Sequence, residues 1–406
     1  MTPSCGVHWG KQTGSASLNQ RFPSGTAFLT IEWPALCACV SPWTSKEIAW
    51  QSLAAPLDWD VLLDLAEEHS VQGLLAKRLE QLKFANMPEA ARETLQLRMR
   101  AQHLFTLSMT AELFRVLEEF SKAGIQAIVI KGPVTSQVAY GDPAMRGFGD
   151  VDLLLRQTDI AATSRQMHAL GFEAKVPDRV IAAGKIPGEY VFRRPGTNRM
   201  IEVHTEKTFR YYPRRMPIEA IFRRKRMLLL EGREVPALDL TDEIVFHCVH
   251  GAKDFWERLM WVCDVSSTVK NHPEVDWQDT LRTAKECGAA RMLSVGLLLG
   301  ARVLQAQLPS SVAERIGQDH AAEKLCGQIE TWLPHGAGAP PSLSRRALFR
   351  ISMGEGTVAG LSYLSRLSFS PTEEDWQGAE ARDNRSWLWD ALRRPFRLMR
   401  KYGSHD

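Results

Sequence analysis

The stretch that decides the fold is Ala127-Ile128-Val129-Ile130-Lys131-Gly132-Pro133, followed seventeen residues on by Asp150-Val151-Asp152-Leu153-Leu154-Leu155. Ile128 to Ile130 is a short apolar run of β-branched residues, which predicts a buried strand. Lys131-Gly132 then predicts a turn, and Pro133 suits the first position of a helix running to Tyr140. Such a turn gathers backbone N–H groups and the positive end of a helix at one point, where a phosphate is favoured. Lys131 adds a full charge there, although a Lys-Gly at a strand end is commonly only a turn with a solvated lysine.

The Asp-x-Asp segment sharpens the picture. Alternate strand residues share a face, so Asp150 and Asp152 are expected on one side, roughly 6 to 7 Å apart. Like charges so placed cost stability unless cations neutralise them, and hard oxygen ligands suit magnesium. A bare Asp-x-Asp is more often a pair of solvated acids entering a strand. The downstream chain argues against that: Thr158-Asp159 is expected to cap a helix from Ile160 to Leu170, ended by Gly171, with a strand resuming at Phe172. Tyr190-Val191-Phe192 and Met200-Ile201-Glu202-Val203-His204 flank Pro195-Gly196-Thr197-Asn198, a hairpin signal. Period two puts Glu202 and His204 on one face of the second arm. Should that arm lie beside the Asp150 strand, Glu202 completes a carboxylate cluster able to hold two metal ions about 4 Å apart.

Further out the pattern is helical. Trp59, Leu62, Leu63, Leu65, Ala66 and His69 recur at helical steps with Asp58 as N-cap, Leu74 to Leu82 continue, and Pro88 to about Ala123 form a long helix ended by Gly124. After the strands, a helix capped by Thr241 carries His247, His250, Asp254, Glu257, Trp261 and Asp264 near one another, a polar stripe expected to face the cleft or to be a solvated face. His250 can act as a base near neutral pH. Trp277 to Leu308 is again helical. The chain therefore divides into a poorly ordered leader over residues 1–45, a helical segment over 46–123, an α/β core over 124–232 and a helical region with a basic tail over 233–403. The expected fold class is α+β, a small mixed-sheet core flanked by N- and C-terminal helical segments.

Composition excludes several classes of protein. The 406 residues include 44% hydrophobic and 24% charged side chains, ordinary globular usage at a length that favours more than one packed unit. No run of eighteen apolar residues is present, so no spanning helix is expected. Fifty Lys and Arg against 47 Asp and Glu give +3, too near neutral for nucleic acid as the main partner. Seven scattered cysteines without paired metal spacing fit a reduced, cytoplasmic chain better than a disulfide scaffold, and leave Cys37 and Cys39 incidental.

Taken in order, Ile128-Val129-Ile130-Lys131-Gly132, Tyr140-Gly141-Asp142-Pro143, Arg146-Gly147-Phe148-Gly149-Asp150-Val151-Asp152 and Ile201-Glu202-Val203-His204 resemble the uncharacterised bacterial nucleotidyltransferase family of the DNA polymerase β nucleotidyltransferase superfamily. The resemblance reaches over about residues 47 to 403, through Leu240-Thr241-Asp242-Glu243, His247, His250, Trp261 and Asp264 to the tail. It implies a polymerase-β-like core in which Asp150, Asp152 and Glu202 are catalytic and hold two Mg2+ ions, with a nucleoside triphosphate as substrate. It further implies Lys131, Gly132 and Arg146 as nucleotide-binding residues and His204, His250 and Asp264 as candidate acceptor-site residues. The implied reaction transfers a nucleoside monophosphate to a hydroxyl of a small molecule, peptide or protein. One departure stands out: the superfamily turn is Gly-Ser or Gly-Gly, whereas Pro133 contributes no N–H. Lys131 and Arg146, or Thr135 and Ser136 at the helix start, are the alternative phosphate partners.

Two features leave other partners open. Lys207, Arg210, Arg214, Arg215, Arg223, Arg224, Lys225 and Arg226 crowd a basic stretch that would guide RNA or a polyphosphate, with nucleic acid the minority expectation. The basic tail Arg393 to Lys401 is amphipathic and is expected to dock on the body rather than on a membrane surface. A non-catalytic nucleotide- or partner-binding protein on the same fold, biosynthetic accessory or antitoxin-like, is the alternative function.

Overall fold

In the computed structural model, the described residues are 31–183, 189–205, 214, 218–338 and 342–369. They form one mixed sheet of seven strands with helices before and after it. The fold is α+β, as expected. The strands are β1 (Ile128–Val129), β2 (Val151–Leu154), β3 (Glu173–Ala174), β4 (Glu189–Arg193), β5 (Met200–His204), β6 (Arg226–Leu230) and β7 (Arg233–Ala237), in the spatial order β3-β4-β5-β2-β1-β7-β6. β2 is antiparallel to β1 and parallel to β5, so the Asp-x-Asp strand lies between the two segments that carry the other expected site residues.

The period of two divides the sheet into faces with different covers. Val129, Val151, Leu153, Ile201 and Val203 turn to one side and pack with Met109, Leu113, Val116 and Phe120 of the long helix Glu89–Lys122. Ile128, Ile130 and Leu154 turn to the other and join the core that also holds Ile244, Val245, Cys248 and Val262 of the C-terminal helices. Asp152, Glu202 and His204 share this second face, beneath the helix Leu240–Lys253.

The helical expectations hold in register. Asp58 caps Trp59–Glu68 by accepting from the Asp60 and Val61 N–H groups, and Gly124 follows the long helix with φ of +71°. Pro133 opens the helix Pro133–Tyr140, and Gly171 adopts φ of +82° after Ile160–Ala169. The cap of Leu240–Lys253 is Asp239, whose carboxylate accepts from the Thr241 N–H, with Thr241 itself inside the first turn.

Two expected boundaries move. The leader was expected to run to residue 45, yet Glu32–Val40 is a helix whose Ala35, Leu36, Cys39 and Val40 are buried in the main core. Pro34 is tolerated because it sits in the first turn, where its missing N–H has no intrahelical partner to lose. Glu32 Oε1 accepts from the Asp58 N–H at 2.9 Å and Ser41 Oγ donates to the Leu304 carbonyl at 2.6 Å, tying this segment to the start of the helix Trp59–Glu68 and the end of the helix Ala290–Leu304. The core boundary at 232 also falls inside a hairpin. Glu231 and Gly232, with φ of +46° and +77°, make a two-residue turn between β6 and β7, and β7 runs parallel to β1 in the sheet.

Residues 1–30 of the leader, the basic residues Lys207, Arg210 and Arg215, and the tail from residue 370 lie outside the described residues. No described helix is long and apolar enough to cross a membrane.

Candidate active site

The register of β2 and β5 builds the site. Asp152 lies directly opposite Glu202, and Leu154 opposite His204, on parallel neighbours. Two carboxylates are thus set side by side on one sheet face, and the His204 ring reaches back from the next pair to Asp152. Ligand atoms of Asp152, Glu202 and His204 lie within 4.8 Å of one another, a spacing compatible with a shared cation. Asp150 falls outside that spacing. It stands one residue ahead of β2, half-buried, and acts on Asp152 and Glu202 through its charge.

Asp152 is the hub. Its side chain is 1% exposed, with Lys131 Nζ at 2.6 Å and His204 Nε2 at 2.8 Å from Oδ1. His204 Nε2 is also 3.7 Å from Glu202 Oε2. Asp152 Oδ2 is buried without a hydrogen-bond partner among the described residues. Burial opposes ionisation of Asp152, but the Lys131 ammonium and the His204 contact outweigh it and hold the carboxyl well below its usual range. Glu202 is the opposite case: burial, reinforced by Glu189, Asp152 and Asp150 against the attraction of His204, pushes its carboxyl up to about 7. Asp150 is raised by burial and by the Asp152 charge. Lys131 and His204 are both held protonated more firmly than usual, since the surrounding carboxylates overcome the cost of burial. Environments that separate the two facing carboxylates in this way mark acid–base and ligand roles.

The Lys131-Gly132-Pro133 turn brings Lys131 into this cluster. Gly132 adopts φ of +78° and ψ of −136°, and a Cβ there would stand 3.3 Å from the Asp150 carbonyl. Only glycine meets both demands. The turn therefore locks the start of β2 against the end of β1, and Lys131 serves first as the partner of Asp152.

Of the other expected phosphate partners, Arg146 and Ser136 are engaged within the chain. Arg146 is buried, and its Nε donates to Asp264 Oδ2 at 2.8 Å, while Tyr140 Oη donates to Asp264 Oδ1 at 2.8 Å. Arg146 and Asp264 thus form an internal clamp between the core and the helix Leu259–Asn271. Ser136 Oγ donates to the Asp142 carbonyl at 2.7 Å and accepts from the Arg146 N–H at 3.1 Å, while Thr135 is wholly buried. Within the basic stretch, Arg224 pairs with Asp242 and Arg226 with Glu243, both acids being buried. These arginines neutralise interior carboxylates.

The helix Leu240–Lys253 supplies the opposite wall. His250 feels the charges of Lys131, Lys253 and Asp152, which places it beside the cluster, and burial with those two lysines pushes its imidazole well below its usual pKa. It is a neutral ring at physiological pH, set edge-on to Trp261 at 5.4 Å between centroids. Two residues escaped the sequence analysis. Glu189, opposite His204 in the β4–β5 register, pairs with Lys253 at 3.1 Å. Lys253 continues the His247, His250 stripe by another three residues, a signal the sequence carried. Glu189 emerges only once the hairpin register is known.

The donor set fits a divalent cation. Asp152 Oδ2 is a buried carboxylate oxygen with an unmet acceptor, Glu202 stands beside it, and Asp150 adds negative charge at the rim. Oxygen donors of this kind suit hard ions.

The strand–Gly turn–helix unit leading to an acidic strand, with a second acidic strand parallel to it, is the arrangement that the resemblance to nucleotidyltransferases implied. Residues 55–305 match the family described as an uncharacterised nucleotidyltransferase, and the chain belongs to that family. Among solved structures it is similar to an antigenic nucleotidyltransferase-like protein from Paracoccidioides brasiliensis, at 16% identity over 51% of this chain and 94% of that chain, with a TM-score of 0.30. None of the curated proteins matches the chain.

Proposed function

We propose that the protein is a magnesium-dependent nucleotidyltransferase that moves a nucleoside monophosphate from a nucleoside triphosphate to a hydroxyl of a small molecule, peptide or protein. The observation that carries this is the in-register pairing of Asp152 with Glu202 on parallel strands, with Asp152 Oδ2 buried and unmet. Asp152 and Glu202, assisted by Asp150, are the residues that would hold the ion. When bound, a divalent ion supplies charge neutralisation for the triphosphate and lowers the pKa of the acceptor hydroxyl.

The chain's own groups do the rest. Glu202, the carboxylate set beside Asp152, takes the hydroxyl proton as the oxygen attacks the α-phosphorus and the bond to pyrophosphate breaks. Lys131 contributes positive charge from beneath the turn, and Lys253 from the facing helix. His250, a neutral imidazole on the acceptor side, orients the incoming hydroxyl. Most of the catalysis is positioning and charge complementarity.

Incubation with each labelled triphosphate and magnesium, with a panel of hydroxyl acceptors, tests this. Pyrophosphate release or label transfer that falls on the order of a hundredfold or more in Asp152→Ala supports the proposal. Turnover unchanged in that variant overturns it. A second function, nucleotide or partner binding without turnover, is favoured by Pro133, which offers no N–H to a phosphate, and by the internal engagement of Arg146. Saturable nucleotide binding without pyrophosphate release would identify it.

A further inference from the structure

We propose that Lys131 and His204 are positioning residues that decide which oxygen of Asp152 meets the divalent ion, leaving Oδ2 as its one metal-facing atom. This deepens the metal-dependent function above and rests on it. β2 lies between β1 and β5, so Asp152 can be reached from both flanks. Lys131 arrives from the turn after β1 and His204 from the end of β5, and both approach the same oxygen, Oδ1, at 2.6 and 2.8 Å. A carboxylate oxygen has two lone pairs, so Oδ1 is saturated. Oδ2 of the same group, on a side chain 1% exposed, has no partner among the described residues. A buried carboxylate oxygen left unmet is costly, and only an incoming cation or donor relieves it.

The alternative role for His204 is direct ligation, since its ring lies within the 4.8 Å group. Its Nε2, the nitrogen that faces the carboxylates, is already spent on Oδ1, and Glu202 Oε2 lies 3.7 Å from that same nitrogen. Outer residues that hold a ligating carboxylate in place typically govern metal affinity by about 10- to 100-fold. Removal of the imidazole frees the Asp152 carboxylate to rotate and offer either oxygen, or to swing wholly toward Lys131.

Manganese is the probe, as a paramagnetic ion that accepts the same oxygen donors. In the full-length protein, bound Mn2+ is expected to show no imidazole-nitrogen coupling in pulsed EPR, a measurement that needs no variant. By calorimetry, His204→Ala is expected to bind Mn2+ about tenfold or more weakly. His204→Gln, whose side-chain amide can still donate to Oδ1, is expected to stay within about threefold of the parent protein. Nitrogen coupling, parental affinity in His204→Ala, or a Gln variant as weak as the Ala variant each overturns the proposal, as does absence of Mn2+ binding by the parent protein. Metal binding that depends on His204 as stated, without consumption of any triphosphate, defeats the transferase function and leaves this inference intact. Turnover with a His204-independent metal affinity does the reverse.

Discussion

Gly132 shows how closely a single residue can tie backbone geometry to the site. Its φ of +78° with ψ of −136° is glycine territory, and the space for a Cβ is bounded by the Asp150 carbonyl at 3.3 Å and Val151 Cγ2 at 3.4 Å. Gly132→Ala must shift either the turn or the start of β2. It is expected to cost about 1–3 kcal/mol in urea unfolding and to depress nucleotidyl transfer more than that loss of stability explains. Parental activity in a stably folded Gly132→Ala would show that the Asp150–Asp152 strand is not placed by this turn.

His69 carries a second prediction at the same scale, remote from the carboxylates. It is fully buried, with Nδ1 accepting from the Leu259 N–H at 3.1 Å, and burial above all, aided by Arg258, lowers its pKa to about 3. Above pH 6.5 the ring is neutral in both folded and unfolded chains and contributes no slope. Between about 6.5 and 3 only the unfolded chain takes up the proton, so stability falls as pH falls, by about 1.4 kcal/mol per unit. His69→Asn, which keeps an acceptor for Leu259, is expected to flatten the stability profile from pH 6.5 to 5. An unchanged slope would assign the acid sensitivity elsewhere.

At the scale of elements, the Arg146–Asp264–Tyr140 contact is the join between core and C-terminal helices. The helix Pro133–Tyr140 is also held to Leu259–Asn271 by Asn271 Nδ2, which donates to the Ala139 carbonyl at 2.8 Å, and by His272, 3.0 Å from the Val138 carbonyl. Arg146→Ala leaves a buried carboxylate without its cation and is expected to cost about 3–5 kcal/mol, while Arg146→Met with Asp264→Leu recovers much of that loss. Urea unfolding of the two singles and the double measures it. A single mutant of parental stability that loses only triphosphate affinity would return Arg146 to a phosphate role. This pair also shows where sequence legibility stops. Arg146 before Asp-x-Asp and Asp264 on a polar stripe each carry a functional pattern, but their mutual contact spans 118 residues and no local periodicity encodes it. The helices were legible because a 3.6-residue period repeats within them, and the shared face of Glu202 and His204 because period two fixes it, whereas the place of that arm beside Asp152 came only with the strand pairing. β6 and β7 were not legible: Met227-Leu228-Leu229-Leu230 is an unbroken apolar run and Arg233-Glu234 opens the next strand with charge, so the sequence does not display the alternation that the burial has, and the turn is Glu-Gly rather than Asn-Gly. Lys131 was legible as a cation at the site, but its partner was not, because only the antiparallel pairing of β1 with β2 decides whether a lysine meets a phosphate or an aspartate.

At the scale of the whole molecule, the sheet is covered on both faces by segments outside residues 124–232, and this decides what can fold alone. One face needs Met109, Leu113, Val116 and Phe120 from the helix Glu89–Lys122. The other packs Ile128, Ile130 and Leu154 against the helices after residue 239. A fragment of residues 124–232 also lacks β7, which leaves β1 with an unpaired edge in the middle of the sheet. Apolar surface on both sides and an open strand edge outweigh what so short a chain can bury. The fragment is expected to be insoluble or to melt without a cooperative transition, whereas a chain of residues 31–369 should unfold in one cooperative step by calorimetry. Because Asp152, Glu202 and His204 lie on the face that the helix Leu240–Lys253 roofs, metal binding should vanish from the fragment together with folding. A soluble, cooperatively folded 124–232 that binds Mn2+ would mean that the flanking helices merely decorate the core, contrary to the two-sided burial on which the site depends.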